Sequence, residues 1–317
     1  PYAMNVVDLC PVGALTSKDF RFNKRVWFLR SQEAICNHCA RGCSLHVDHH
    51  REKYKEEKIY RYRPCFNKKV NGYFICDAGR LSYAKENEKT HFQPLIRGKV
   101  SEYEYAQSKL LRLLKRHLSK TLILLGSDLS LEEMARCVYL SKQYNLFLSA
   151  YDAVRMDEDF GDDFLKCVDR SANGRALNIL GIDTSLAFFE KALNEVELVI
   201  MIGRDDNHEI AKKFHEQTSV IVSAYDVGAC EAIELVLPMA SHLSRAGSFI
   251  NKDGYVQHSA CAIALVPEHQ PLLMILASLL GDTIFTCKEV WETLLCQESA
   301  FEGITFDSLS LTPKIAL

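Results

Sequence analysis

SQEAICNHCARGC at residues 31–43 and YFICDAGR at residues 73–80 contain four cysteines that can reach one point. The first three follow the spacing C-x2-C-x3-C, which is short enough for one tight loop to turn three thiolates inward. The fourth comes after a long excursion and closes the set, which consists of Cys36, Cys39, Cys43 and Cys76. Four thiolates that converge in this way indicate a metal site.

The spacing of these cysteines favours one kind of metal centre over its alternatives. A [4Fe–4S] cluster takes one thiolate per iron, and proteins supply these thiolates in sets with varied spacings. A structural zinc site more often has two symmetric C-x2-4-C pairs, and the three residues between Cys39 and Cys43 break that symmetry. We therefore predict a [4Fe–4S] cluster, with zinc as the alternative and a disulfide third.

Length and charge limit what the rest of the chain can do. The chain has 317 residues, of which 48% are hydrophobic, so it can bury a sizeable core and divide into one small and one larger domain. Its net charge of −3 gives no general attraction to nucleic acid or to an anionic membrane. The longest apolar run, residues 272–280, is far shorter than the ~20 residues of a membrane helix. We expect no direct membrane insertion.

The other cysteines need a separate interpretation. Twelve cysteines without a signal peptide indicate a reducing cytoplasm, where thiolates bind metal instead of pairing. Cys65 has no partner at ligand spacing, so we predict a free thiol, with a ligand as the lesser alternative. Six more are scattered among apolar neighbours and are predicted to be small buried hydrophobes: Cys137, Cys167, Cys230, Cys261, Cys287 and Cys296.

The cysteine motif and three further stretches carry a family resemblance. C-x2-C-x3-C followed by C-D-x-G-R resembles the cluster domain of molybdopterin oxidoreductases, in the variant of the large iron–sulfur subunit (the G subunit) of bacterial NADH-quinone oxidoreductase, respiratory complex I. DLCPVGALT at 8–16 resembles that subunit's segment with the last cysteine of a preceding cluster. QPLIR at 93–97 resembles its hinge, and LPMASHLSRAGSFINKDGYVQ at 237–257 resembles a hairpin of the molybdopterin-type domain.

The resemblance divides the chain into three parts. Residues 1–30 would be the tail of a ferredoxin-like iron–sulfur domain, residues 31–95 the [4Fe–4S] cluster domain, and residues 96–317 a truncated molybdopterin-oxidoreductase-like α/β domain. Cys10 matches the fourth ligand of a cluster whose other cysteines are absent from this sequence. The chain begins at Pro1, so we expect a part of a longer protein, or a chain whose ferredoxin domains lie elsewhere.

The resemblance also implies a function. It predicts an electron-transfer subunit of NADH:quinone oxidoreductase, with no catalytic residues for a substrate of its own. Its partners would be other subunits of the peripheral arm, which would keep it cytoplasmic and peripheral to the cytoplasmic membrane. In molybdopterin-binding members a lysine stands where this chain has Ala78, so molybdopterin is not expected. The alternatives are a subunit of a NAD-linked formate dehydrogenase or hydrogenase, and a non-redox scaffold with structural zinc.

The segment SKDFRFNKRVWFLR at 17–30 interleaves basic and aromatic side chains. Such interleaving can bind single-stranded nucleic acid. A short alternating run is more often an edge strand with one solvated face, and the overall charge favours that interpretation. We predict an edge strand and no nucleic-acid partner.

Local patterns predict the framework of the cluster domain. Residues 45–47 and 58–63 are predicted to pair as a hairpin that returns Cys76 to Cys36. Gly42 allows a positive φ before the third ligand. His38 lies inside the ligand loop and is expected to tune the cluster instead of replacing a thiolate.

After the hinge, strands alternate with helices, which predicts a doubly wound, mostly parallel sheet in an α/β domain. The predicted helices are 103–118, 129–144, 185–194 and 209–216, with 272–280 and 288–296 in the tail. The predicted strands are 121–125, 146–151, 197–202 and 219–224. The strand ends at 126–128 and 203–206 lie where such sheets bind ligands, but neither carries a nucleotide fingerprint.

Overall fold

The computed structural model describes residues 1–53, 55, 57–88, 92–203, 214 and 217–315. Within these residues, a three-stranded antiparallel sheet, a seven-stranded mixed sheet and a two-stranded hairpin make up the β-structure. The mixed α/β architecture predicted from the alternating pattern is confirmed.

The small sheet carries the cysteine loop. Its strands are β1 (Arg30–Ile35), β2 (Ser44–Arg51) and β3 (Glu57–Pro64), paired in that order. The predicted hairpin of residues 45–47 and 58–63 is confirmed, and both strands extend further into the charged stretch than predicted. The loop with the first three cysteines connects β1 to β2, so the strand pairing fixes both of its ends.

The N-terminal segment packs beside the small sheet without joining it. Helix α1 (Asn5–Leu9) begins with the buried Asn5, whose side-chain amide donates to the carbonyl of Ile75 at 2.8 Å and accepts from the N–H of Ile75 at 3.2 Å. The edge strand predicted for residues 17–30 is wrong, because this segment forms turns and a short 3-10 helix, Val26–Phe28, before β1 begins. Its aromatic rings contact basic side chains and do not line one face of a strand; for example, the Arg61 guanidinium stacks on the Phe20 ring at 4.2 Å.

The large sheet is built mainly from parallel strands. Its strands are β4 Leu95–Ile96, β5 Lys99–Val100, β6 Thr121–Leu125, β7 Phe147–Ser149, β8 Leu198–Ile202, β9 Thr218–Ser223 and β10 Leu235–Pro238. The strand order is β5-β4-β10-β9-β8-β6-β7, in which β10 to β7 run parallel and the short β4 and β5 pair antiparallel at one edge. The predicted parallel strands are close to the observed ones, and the edge hairpin was not predicted.

Helices cover both faces of the large sheet. Ile123 and Leu125 of β6 pack with α4 (Tyr103–Arg116), α5 (Leu131–Tyr144) and α8 (Leu272–Leu280), whereas Leu122 and Leu124 pack on the face that α7 (Leu186–Glu195) covers. Every residue of β6 is therefore buried, as expected for a parallel strand between two helical layers. The helices are α2 Asp77–Leu81, α3 Tyr83–Glu88, α4 Tyr103–Arg116, α5 Leu131–Tyr144, α6 Gly174–Ile179, α7 Leu186–Glu195, α8 Leu272–Leu280 and α9 Cys287–Thr293.

Some predicted bounds differ from the structure. Helix α5 begins after Ser130, whose hydroxyl and the Glu133 carboxylate form a capping box, so the cap lies beyond the predicted start. The second tail helix is shorter than predicted and continues as 3-10 turns at Leu295–Gln297, Ser299–Phe301 and Phe306–Leu311. The predicted helix 209–216, apart from residue 214, and the strand end at 204–206 lie outside the described residues. None of the described helices is long and apolar enough to cross a membrane.

Asn173 ties the loop before α5 to the hairpin of β11 (Gly247–Ile250) and β12 (Val256–Ser259). Its fully buried amide donates to the carbonyl oxygen of Leu129 at 2.9 Å and accepts from the N–H of Ile250 at 2.9 Å. We predict that Asn173→Ala lowers the free energy of unfolding by about 3 kcal/mol, because it leaves buried backbone groups without partners. Chemical denaturation measures the change.

Asn178→Ala is the matched control, since Asn178 is exposed on α6. We expect this variant to stay within about 0.5 kcal/mol of the parent protein. Equal effects of the two substitutions would contradict the role assigned to Asn173.

Candidate metal centre

The four cysteines of the loop and of α2 meet in one enclosed cavity. All four are free thiols and at most 9% exposed. Cys36 follows β1, Cys39 and Cys43 complete the loop before β2, and Cys76 caps α2. Their cavity also has apolar walls, formed by Leu45, Ile75 and Leu165. The structure thus brings together the four residues predicted as ligands.

Two glycines show how tightly the sulfur atoms are gathered. A Cβ atom added at Gly79 would lie 3.1 Å from Sγ of Cys36 and 3.4 Å from Sγ of Cys76, so only glycine leaves the space between these sulfurs open. The N–H of Gly79 also donates to Sγ of Cys76 at 3.2 Å. Gly42 has the predicted positive φ of 60°, which turns the loop back toward Cys43.

The cavity disfavours charge on its own sulfur atoms. Burial raises the pKa values of Cys36, Cys43 and Cys76, and charge on the neighbouring cysteines raises them further. Three of the four buried thiols, Cys36, Cys43 and Cys76, therefore stay neutral unless a cation compensates their thiolates. This donor set fits a four-thiolate metal centre, either a [4Fe–4S] cluster or zinc.

A segment of the α/β region, residues 157–170, closes the site from one side, and we call it the clasp. The N–H of Ala40 donates to the carbonyl of Asp169 at 2.9 Å. Arg170 donates to the His38 carbonyl at 3.2 Å and to its ring Nε2 at 2.8 Å. Arg170 itself is held by Asp157 at 3.0 Å and stacks on Phe160 at 3.8 Å. The cysteine loop is thus fixed by side chains more than 120 residues away in sequence.

The hairpin of β11 and β12 holds the loop from another side. Gln257 donates to the carbonyl of Gly42 at 2.7 Å, and the N–H of Lys252 donates to the carbonyl of Ala40 at 2.8 Å. Arg41 forms an ion pair with Asp253 at 3.1 Å. These contacts give the motif at 237–257 a physical role, because its residues position the ligand loop.

Cys167 of the clasp is a site residue that the sequence did not reveal. It is buried, as predicted, but it lies beside Cys39, and its hydrogen bonds to that sulfur lower the pKa of Cys39 to about 6. The Cys167 sulfur also lies 3.9 Å from the carbonyl oxygen of Leu165, to which its S–H can donate. We take Cys39 as the thiolate of the pair, because Cys39 also accepts a backbone N–H from Arg41. Cys167 therefore does more than fill space as a small hydrophobe.

The remaining scattered cysteines divide by burial. Cys137 and Cys287 are buried, as predicted, and Cys230 is half-buried. Cys261 and Cys296 are exposed, which contradicts the prediction for both. Cys261 lies in irregular chain after Ser259 and Cys296 in the 3-10 helix Leu295–Gln297, and at such surface positions apolar neighbours in sequence do not imply a place in the core.

Two cationic side chains near the cavity, Arg80 and Lys166, act differently on its sulfur atoms. Arg80 is buried but binds Asp8 at 2.5 Å and the Tyr62 carbonyl at 3.3 Å, so its charge is already paired. Lys166 of the clasp lines the cavity and favours the thiolate of Cys76. Sequence spacing could not identify Lys166, because its position depends on the path of the clasp.

His38 lies at the contact between the loop and the clasp. Burial, together with the charges of Arg170 and Lys85, lowers its pKa to about 4. The ring is therefore neutral at pH 7, and its Nε2 accepts the bond from Arg170. His38 contributes a hydrogen-bonded neutral ring to the rim of the site, and no positive charge.

Cys10 lies apart from the cavity, in the loop after α1. Its sulfur accepts from the N–H of Leu15 at 3.4 Å, and the N–H groups of this loop lower the pKa of Cys10. The loop thus favours a thiolate at Cys10. Its assignment as a ligand of a second cluster stays a prediction.

Comparison with known proteins extends over part of the chain. No family model matches the sequence. Three proteins, each named as the G subunit of NADH-quinone oxidoreductase, are similar to it: 35% identical over 106 residues in Streptomyces coelicolor, 37% over 87 residues in Buchnera aphidicola and 34% over 93 residues in Rickettsia bellii. These alignments cover 33%, 27% and 29% of this chain.

The same alignments cover only 12%, 9% and 13% of the relatives, so the matched part is a small share of their length. Identity of this level over about 100 residues is far more than a shared cysteine spacing provides. The resemblance to the large iron–sulfur subunit of NADH-quinone oxidoreductase, inferred from the motifs, is confirmed over about 30% of this chain.

Proposed function

We propose that this chain binds a [4Fe–4S] cluster on Cys36, Cys39, Cys43 and Cys76 and transfers electrons within an NADH-quinone oxidoreductase. The observation that carries the proposal is the convergence of four buried free thiols on one cavity. The names of the relatives support the type of complex. The spacing of the cysteines favours iron–sulfur over zinc.

The chain's own residues would set the properties of the bound cluster. When bound, a [4Fe–4S] cluster supplies a reversible one-electron carrier. Leu45, Ile75 and Leu165 line the cavity with apolar side chains, which would limit the access of water to the cluster. The N–H of Gly79 and the thiol of Cys167 donate to ligand sulfurs, which stabilises added negative charge there.

In this proposal the chain performs no bond-making chemistry. Oxidation of NADH and reduction of quinone would belong to partner subunits of the peripheral arm, and those partners would place the chain at the cytoplasmic side of the membrane. Molybdenum chemistry is not part of the proposal, because Ala78 stands where molybdopterin-binding members have lysine.

Iron and acid-labile sulfide in anaerobically purified protein test the proposal. We expect about four of each per chain and an EPR signal after reduction, all lost in Cys76→Ser. Cys296→Ser is the matched control, since Cys296 is exposed and far from the loop in sequence, and it should retain both. Zinc without sulfide in the parent protein would exclude electron transfer and leave the scaffold alternative.

Gly79→Ala tests the geometry of the cavity. The added methyl group would enter the space between Cys36 and Cys76, so we predict iron content below half of the parent value. Gly228→Ala is the control, because Gly228 has open space around its Cβ position and a φ of 73°. Alanine is strained at this φ, so the variant should lower the stability of the fold at a position away from the site. Full iron content in Gly79→Ala would mean that the sulfurs are arranged differently.

Cys167→Ala tests the hydrogen bond from the clasp. Loss of a hydrogen-bond donor to Cys39 destabilises the reduced state of the cluster. The reduction potential should therefore fall by tens of millivolts, which corresponds to the free energy of about one hydrogen bond. Potentiometric EPR titration measures it. Cys167→Ser keeps a hydrogen-bond donor, so its reduction potential should lie closer to that of the parent protein. Equal potentials in all three proteins would show that Cys167 only fills space.

A further inference from the structure

A second group of metal-ligating side chains lies on the other side of the small sheet. It consists of Glu33 on β1, His46 on β2 and Cys65 directly after β3. One carboxylate oxygen, one ring nitrogen and the sulfur lie within 4.8 Å of one another. The three residues come from three adjacent strands, so the sheet itself assembles them.

Strand register explains how the group forms. Glu33 and His46 are direct partners in the antiparallel pair of β1 and β2. The N–H of Cys65 donates to the carbonyl of Ser44 at 3.0 Å, which continues the pairing of β3 past its last residue. Successive side chains alternate between the faces of a strand, and Leu45 faces the cavity of the four cysteines. The group therefore lies on the opposite face from that cavity.

The charges of the group suit a divalent cation. Without metal, burial and the charge of Glu33 raise the pKa of the Cys65 thiol, so Cys65 would release its proton when a cation binds. The Glu33 carboxylate and the Cys65 thiolate would then carry two negative charges, and His46 would bind as a neutral ring. The nearest cation along β3, Arg63, is already bound to Asp48 by two bonds of 2.7 and 3.0 Å. The site thus has ligand charge that no neighbouring arginine among the described residues neutralises by a direct ion pair.

Exposure is consistent with an open site that metal can reach. Glu33 is exposed, and His46 and Cys65 are half-buried. An ion could therefore approach from solvent and keep water as its fourth ligand, as in zinc sites with three protein ligands.

We propose that Glu33, His46 and Cys65 bind one zinc ion. Calcium and magnesium require oxygen ligands, whereas zinc accepts sulfur, nitrogen and carboxylate oxygen together in a tetrahedral set. The bound ion would link all three strands at the end of the sheet that also positions the cysteine loop. This site is independent of the proposed electron-transfer function, because it shares no ligand with the four-cysteine cavity.

Zinc titration of the purified chain, with its four-cysteine centre loaded, tests the proposal. A chromogenic chelator competes for the added Zn²⁺ and reports both stoichiometry and affinity. We expect one equivalent in the parent protein, and affinity weakened more than about 100-fold in Cys65→Ser and His46→Ala, since each removes a direct ligand. Glu33→Gln should weaken it about 10-fold, because an exposed amide oxygen can still coordinate weakly.

Two matched controls separate this site from general thiol and imidazole binding. Cys261→Ser removes an exposed thiol elsewhere on the surface, and His50→Ala removes another histidine of β2. Both should bind zinc as the parent does. The proposal is overturned if Cys65→Ser and His46→Ala also bind zinc as the parent does. It is likewise overturned if the zinc equivalent is lost only in Cys76→Ser, because the ion would then occupy the four-cysteine cavity.

Discussion

Burial of four thiols in one cavity is the constraint on which the rest of the structure depends. Desolvation and mutual repulsion raise the pKa values of Cys36, Cys43 and Cys76, so the fold alone does not favour the thiolates that a metal needs. The surrounding elements therefore have to hold the sulfurs close and supply N–H and S–H donors. The space left by Gly79 and the donors from Gly79 and Cys167 meet both requirements.

The same constraint explains why the loop is held by the larger region and not by the small sheet alone. A short loop between two strands has few backbone partners of its own, and the clasp and the β11–β12 hairpin supply the missing ones. Arg170 and Gln257 donate to the carbonyls of His38 and Gly42, the residues directly before Cys39 and Cys43. A metal centre supported in this way couples the small sheet to the α/β region, so neither part is a separate module around the site.

Sequence reasoning succeeded where the signal was local and failed where it was not. The tight cysteine loop, the β2–β3 hairpin and the strand β6 follow from neighbours in sequence, and all three were predicted. Cys167 and Arg170 lie about 130 residues from the loop, and no periodicity reports such a contact. The segment at 17–30 alternates like a strand, but its rings contact cations such as Arg61, so alternation was a misleading signal.

The register of β1 and β2 links the two faces of the small sheet. Because side chains alternate with a period of two, a slip of one residue would move Leu45 out of the cavity wall and turn His46 into it. The pairing of Ile35 with Ser44 directly precedes the cysteine loop, so a slip would also change where the loop starts and ends. One set of backbone hydrogen bonds therefore fixes both ends of the cysteine loop and brings Glu33 beside His46.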